Sequence, residues 1–331
     1  MSEQILSWLY HWWPGLLILI VLLSAGSILF QPWNIDELVS HPHPVNSYDE
    51  AVQRIQSIQA GETNLNPLCQ TRFLTHGATA QRAILFVHGY TNCPQQFAEL
   101  GKRFYNLGYN VLIATVPYHG LADRLTDEQG RLTAEDLAAY ADRIVDIGCG
   151  LGKHLTLAGI SLGGVVVSWA AQDRHEVDLA VLISPGFSYH AIPNGLTVPV
   201  ANLFMLLPVS YEWWNPALKE KSGPVYTYPR FSKHVLGEIM RLGLAVRSAA
   251  QRAAPAAHSI LIVTNANDRS VNNETTAQMI RLWQANGARL ATYEFPITDK
   301  LGHDLIDLNN QDRDIEFVYL RLIDLIDNYP A

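Results

Sequence analysis

The sequence predicts an α/β protein: a mostly parallel sheet with helices on both faces, a cap inserted late in the sheet, and an N-terminal transmembrane helix. Three observations carry this. From Ala83 onward, short aliphatic runs alternate with helix-length amphipathic segments, as expected of strands buried on both faces and joined by helices. At residues 154–171, HLTLAGISLGGVVVSWAA, a strand-like run meets a helix-compatible run across only Gly159-Ile160-Ser161-Leu162-Gly163. Residues 5–30 contain no Asp, Glu, Lys or Arg.

The uncharged segment comes first. Leu16 to Leu23 is wholly aliphatic, and a spanning helix needs about 20 mostly apolar residues. Trp8, Tyr10, Trp12 and Trp13 at one end and Phe30 and Trp33 at the other are placed like interfacial aromatic belts. Pro14 would end or kink the first turns. A cleaved signal peptide, with Ser24-Ala25-Gly26 as its small-residue site, competes with this reading. It lacks a basic n-region, since the one charged residue ahead of the apolar run is Glu3. A single-pass membrane anchor is therefore expected over residues 1–33. The first basic residue is Arg54, so the positive-inside rule does not choose a side.

Residues 34–67 are polar, with His41-Pro42-His43-Pro44 and a short amphipathic stretch from Tyr48 to Ala60, and read as a linker. The two histidines read as solvated rather than as metal ligands. The 331 residues, 48% hydrophobic, suffice for one large domain with an appendage. A net charge of -8 without any Lys/Arg cluster sets nucleic acid aside as a partner. Cys69, Cys93 and Cys149 have no metal-site spacing; they allow one disulfide with a spare thiol, or three buried small hydrophobes.

The main body is expected over residues 68–331. Cys69 to Leu74 alternates like a strand, and Ala83 to Val87 is a buried strand ending in His88-Gly89-Tyr90-Thr91-Asn92. Pro94 to Leu107 reads as a helix and Asn110 to Val116 as the next strand. Thr133 to Ile147 reads as a helix opened by a capping-box variant of Thr133 and Asp136. The elbow strand and helix follow, then a strand from Leu179 to Ile183, all with right-handed crossovers. Alternation breaks over about 186–257, which holds several prolines, the aromatics Phe204, Tyr211, Trp213, Trp214, Tyr226, Tyr228 and Phe231, and a helical stretch from Lys233 to Ala249. An insertion of this length is usually functional, and its apolar content suits a cap over a site. A strand from Ser259 to Thr264 ends in Asn265-Ala266-Asn267-Asp268. A helix from Val271 to Asn286, a strand from Leu290 to Phe295, a loop with Leu301-Gly302-His303-Asp304 and a helix from Asp312 to Ile326 complete the chain.

The tight strand-to-helix turn puts Ser161 at its apex. Glycines at 159 and 163 let strand and helix close on each other, and the helix start turns free N–H groups and its positive end toward the hydroxyl. The bare GxSxG pattern is weak; its placement between strand and helix is what makes Ser161 a candidate nucleophile. A phosphate-binding turn is the bland alternative, and neither GxGxxG nor GxxxxGK[ST] occurs. A serine needs a base near neutrality and a carboxylate to orient that base. Of twelve histidines, His303 lies in a loop after a late strand with a glycine beside it, and Asp268 lies at a late strand's C-terminal end. The oxyanion donors expected are the backbone N–H groups of Leu162 and Tyr90. His88 suits scaffolding beneath the loop better than a base.

HGY at 88–90, GISLGG at 159–164, NAND at 265–268 and GHD at 302–304, in the order Ser, Asp, His, together resemble the α/β-hydrolase superfamily from about Cys69 to the C-terminus. HGYTNCPQQF at 88–97 is similar to its bacterial carboxylesterase and monoacylglycerol-lipase branch. The resemblance implies an α/β-hydrolase fold and hydrolysis of carboxylic esters through an acyl-enzyme, with no cofactor and no metal. The aromatic and aliphatic cap from Phe187 to Leu244 is expected to roof an apolar pocket, so the substrate expected is a small-molecule ester with an apolar acyl group. The same residues would serve an acyltransferase, a thioesterase or a peptidase. A non-catalytic membrane-tethered binding module is disfavoured by the intact Ser, Asp, His set. The anchor and the cap depart from the family's usual pattern.

Overall fold

The computed structural model describes residues 3–307 and 315–329. In chain order the elements are α1 (Glu3–Leu29), α2 (Tyr48–Gly61), β1 (Arg72–Leu74), β2 (Ala80–Val87), α3 (Ala98–Asn106), β3 (Asn110–Ile113), α4 (Ala134–Leu151), β4 (Gly152–Ile160), α5 (Leu162–Asp173), β5 (Leu179–Ile183), α6 (Thr197–Leu206), β6 (Tyr211–Trp213), β7 (Arg230–Ser232), α7 (Lys233–Ala250), β8 (Ser259–Asn265), α8 (Asn273–Ala285), β9 (Leu290–Phe295) and α9 (Ile315–Asp327). The expected start of the last helix at Asp312 lies outside the described residues.

Seven strands form one sheet in the order β1-β3-β2-β4-β5-β8-β9. β1 is antiparallel to β3 and the other pairings are parallel. The continuous apolar runs are explained by burial on both faces. Ala83, Leu85, Val87, Leu155, Leu157, Ala180, Leu182, Ile260 and Ile262 face a core shared with α4, α5, α7 and α8. Their neighbours Ile84, Phe86, Ala158, Ile160, Val181, Ile183, Leu261 and Val263 face a second core with α3 and α9. The register sets Val87 opposite Gly159, Ile160 opposite Ile183 and Asn265 opposite Phe295, so the strands end along one edge. Strand order reverses between β2 and β4, and loops leaving such a switch point diverge to open a crevice.

The sequence reading is corrected in several places. The helix expected from Pro94 divides into a 3-10 turn, Pro94–Phe97, and α3. Cys69 and Cys93 form a disulfide with Cα atoms 5.2 Å apart, while Cys149 is a free, half-buried thiol. Residues 34–67 are not a spacer. Leu38, Val45, Ala51 and Ile55 are buried in the main core. Ser40 Oγ and the His41 N–H both donate to Asp142 at 2.6 Å, and the His43 N–H donates to Asp146 at 3.0 Å. The Val45 N–H donates to Asp146 O at 3.2 Å; Pro42 and Pro44 alternate with these donors, where no N–H has to be satisfied, and bias the strap toward an extended form. Beneath it lies Arg174, fully buried, whose five N–H donors reach Glu176, Asp146, the Asp142 carboxylate and the Asp142 carbonyl.

The helix expected at the end of the cap belongs to the body: Val235, Ile239, Leu242 and Val246 of α7 are fully buried in the main core. The cap proper is residues 186–232, with α6 and the antiparallel pair β6 and β7. At the N-terminus, α1 meets the body at its end, where Asn202 Nδ2 donates to the carbonyls of Leu29 and Gln31, both at 2.7 Å. Among the described residues no helix is long and apolar enough to cross a membrane. The side chains of residues 3–11, 14, 22 and 25 lie outside the description, and with them Trp8, Tyr10 and Pro14. The membrane span expected from the sequence is thus not supported by the structure.

Candidate active site

Ser161 stands between β4 and α5 with φ 58° and ψ -115°, a conformation that costs a non-glycine residue about 1–3 kcal/mol. The fold holds it there on all sides. Its N–H donates to Ile183 O at 3.0 Å, and its carbonyl accepts from Val165 N–H at 3.2 Å and Gly186 N–H at 3.0 Å. A Cβ on Gly159 would run into the Gly163 carbonyl, and one on Gly163 into the carbonyl of Val87. Glycine is therefore required at both places for strand and helix to approach. Leu162 is the first residue of α5, so its N–H has no acceptor within the helix and lies at the positive end of the helix dipole.

Asp268 follows β8 and His303 follows β9. Asp268 Oδ2 is 2.8 Å from His303 Nδ1, and Oδ1 accepts from the N–H groups of Ser270 and Val271 at 2.8 and 3.1 Å. Burial alone would raise the Asp268 pKa. The His303 hydrogen bond and charge and the two N–H groups outweigh it and hold the carboxyl below its ordinary range. For His303 the balance runs the other way. Burial alone would lower its pKa, and the bond to Asp268 with the charges of Asp268 and Asp304 raise it above 6.5. A carboxylate only accepts, so Nδ1 carries the hydrogen and Nε2 is the acceptor nitrogen. The His303 side chain is 15% exposed and that of Asp268 is 0% exposed: solvent meets the base and not its partner.

The loop after β2 lies against Ser161. A side chain on Gly89 would sit 3.6 Å from Ser161 Cβ. Tyr90 is held by its hydroxyl, which donates to Gln129 Oε1 at 3.0 Å and accepts from Ser232 N–H at 2.9 Å. Thr91 O accepts from Tyr228 N–H at 2.8 Å and Thr91 Oγ1 from Trp214 Nε1 at 3.0 Å, so the cap is bonded directly to this loop. His88 is the scaffold residue expected. It is buried, its Nδ1 donates to Gly89 O and its Nε2 accepts from Val116 N–H; burial and His119 push its pKa down to about 3.

Sequence reasoning missed Gln96. Its Oε1 accepts from Gly89 N–H at 2.8 Å and its Nε2 donates to Asp304 Oδ1 at 3.3 Å. One side chain therefore spans from the loop beside Ser161 to the residue beside His303. Nothing in local periodicity marks a glutamine for such a role. Among the described residues, no group of three or more His, Cys, Asp or Glu is placed to hold a metal ion.

A strained serine between strand and helix at the switch point of a parallel sheet, with a histidine and carboxylate joined after later strands, defines an α/β hydrolase. The family model described as serine aminopeptidase, S33, matches residues 78–306, well over half of the chain, and the chain belongs to that family. No curated protein sequence matches it. Several solved structures share its fold. One of the metagenome-derived lipolytic enzymes LipS and LipT is 18% identical over 80% of this chain and 99% of its own, with a TM-score of 0.59. A soluble variant of the monoglyceride lipase from Saccharomyces cerevisiae is 16% identical over 78% of this chain and 91% of its own, with a TM-score of 0.57. The monoacylglycerol lipase of Paleococcus ferrophilus is 16% identical over 77% and 96%, with a TM-score of 0.56. The expected superfamily is thereby borne out, and the family makes the chain a hydrolase.

Proposed function

We propose that the chain hydrolyses carboxylic esters through an acyl-enzyme on Ser161. The observation that carries this is the 2.8 Å bond from His303 Nδ1 to Asp268, which leaves Nε2 as a base at the same sheet edge as the strained serine. In this reading Ser161 Oγ attacks the ester carbonyl carbon as its proton passes to His303 Nε2. The tetrahedral oxyanion is met by the N–H groups of Tyr90 and Leu162. Collapse expels the alcohol, which takes the proton from His303, and a water then repeats the sequence to release the acid. Asp268 keeps the tautomer and stabilises the imidazolium.

The acyl group is apolar and short to medium in length, with monoacylglycerols among the candidates. This is supported by the cap, which begins at Gly186 against the Ser161 carbonyl, sets Trp214 on Phe231 with ring centroids 4.2 Å apart, and is bonded to the Tyr90 loop. Each methylene buried in such a pocket contributes about 0.8 kcal/mol. A fluorophosphonate probe should label Ser161, and kcat/KM on p-nitrophenyl and glycerol esters should rise with chain length. Equal values from acetate to laurate would remove the apolar pocket. Faster turnover of aminoacyl anilides than of any ester would replace the reading with peptide hydrolysis, the activity in the family's name.

A single-pass anchor over residues 1–33 is part of this proposal and rests on the sequence, where residues 5–30 carry no charge. The Cys69 to Cys93 disulfide supports a body on the oxidising side of that membrane, where such bonds persist. Release of the protein from membranes by alkaline carbonate, or labelling of Cys69 and Cys93 by a thiol reagent in intact protein, would count against these two points respectively.

A further inference from the structure

The loop carrying the oxyanion peptide follows β2 and the loop carrying the histidine follows β9, with three strands between them in the sheet. Gln96, 3% exposed, joins the two. Its amide orientation is dictated by its neighbours: Gly89 offers an N–H and Asp304 a carboxylate, so the oxygen faces Gly89 and the NH2 faces Asp304. We propose that Gln96 is a positioning residue of the hydrolytic reaction, fixing the oxyanion peptide and the histidine loop relative to each other. The proposal rests on the roles given above to Ser161, His303 and Tyr90.

Three features support it. Gly89 lies between the nucleophile and the glutamine, a Cβ there coming into ordinary contact with Ser161 Cβ and Gln96 Oε1, both at 3.6 Å. With its own N–H engaged by Gln96, the Gly89 backbone fixes the next peptide, whose N–H is that of Tyr90. The glutamine also stands on a stiff base. The Gln96 N–H donates to Cys93 O at 2.9 Å, Cys93 is tied to Cys69, and the following Phe97 is fully buried and stacked on Phe86 at 4.7 Å. At the other end Asp304 adjoins His303 in sequence, and its charge adds to the basicity of that imidazole. The bridge thus sets both the donor for the oxyanion and the loop of the base, groups that must be in register within a fraction of an ångström.

The test is a donor and acceptor exchange, with ester turnover and fluorophosphonate labelling of Ser161 followed in wild type and every variant. Gln96→Met keeps the volume and removes both bonds. It should lower kcat by about 10–100-fold with KM little changed, below the 100–1000-fold that removal of an oxyanion donor itself costs. Gln96→Glu keeps the acceptor for Gly89 but sets a carboxylate against Asp304, and should lose at least as much. Gln96→Glu combined with Asp304→Asn restores a donor facing an acceptor, and should bring kcat back to within about 5-fold of wild type, a non-additivity expected of directly bonded groups. A Gln96→Met protein with wild-type kcat, or a double variant no better than Gln96→Glu, overturns the proposal. If Gln96→Met fails to fold by circular dichroism, the exchange pair decides alone. A wild type that neither labels nor turns over any ester overturns the reading of Ser161 and this proposal with it.

Discussion

The buried polar constellations around Arg174 and around His303 are finished differently. Around Arg174 every N–H of the guanidinium is used, and the carboxylates of Asp142 and Asp146 are further occupied by the strap at 40–43. Around His303 the Asp268 side is equally complete, but the pairing leaves Nε2 as an acceptor on a ring that is 15% exposed. A closed network fixes structure, because no partner can be exchanged without stranding a buried charge. A network closed on one side only passes its order to the group at its open end. The first constellation should therefore govern stability and the second, rate.

The sharpest way to break that division is Ser161→Ala. On the reading proposed it should lower kcat by roughly 10,000-fold to a million-fold while leaving the thermal midpoint unchanged; retention of wild-type turnover on activated esters would end it. Asp268→Asn should cost about 10,000-fold and also move the pH dependence. His303 must be neutral to act as a base, so kcat/KM rises with pH through its pKa, which lies above 6.5. Without the Asp268 carboxylate, burial dominates and the acid limb should shift to lower pH. An acid limb that stays in place would detach His303 from the reaction.

Arg174→Met attacks the other constellation. It strands the carboxylates of Asp142, Asp146 and Glu176, and urea titration should register a loss of about 3–5 kcal/mol, with kcat of the folded fraction unaltered. A comparable fall in kcat would mean that the clasp reaches the site after all. The smallest effect is expected from Cys69→Ser with Cys93→Ser. The cross-link closes a sequence separation of 24 residues, which corresponds to roughly 3 kcal/mol of chain entropy. Because Cys93 also carries the turn beneath Gln96, a modest fall in kcat should accompany the loss of stability. Stability lost without any such fall would assign the disulfide to the structural side alone.

The two constellations were also unequally legible in the sequence. Ser161 could be read because its constraints are local: glycines within two residues, a strand before and a helix after. Asp268 and His303 were placed by their position after late strands, which the alternation of apolar runs locates. The clasp was invisible because its parts come from distant stretches, His41 lying 101 residues from Asp142, and polar residues 34–67 read locally as a spacer. Gln96 and Asp304, 208 residues apart, escaped for the same reason. The helix α7 was assigned to the cap because amphipathicity records that a face is buried and not what buries it; here the partner is the main core.

The strap at residues 40–45 has a history as well as a place. It is made before anything that holds it: His41 precedes Asp142 by 101 residues, and Arg174 is later still. Arg54, whose Nη1 donates to the His43 carbonyl at 2.8 Å, follows the strap soon after, but at synthesis rates of about 5–20 residues per second the strap waits roughly 5–20 s for Asp142. During that interval the covalent chemistry of the prolines constrains its shape. Pro42 and Pro44 bias their neighbours away from helix and toward an extended chain, so the nascent segment already approximates the form in which Asp142 and Asp146 will receive it. The alternating histidine and proline pattern thus favours, before docking, the extended form in which the strap is received.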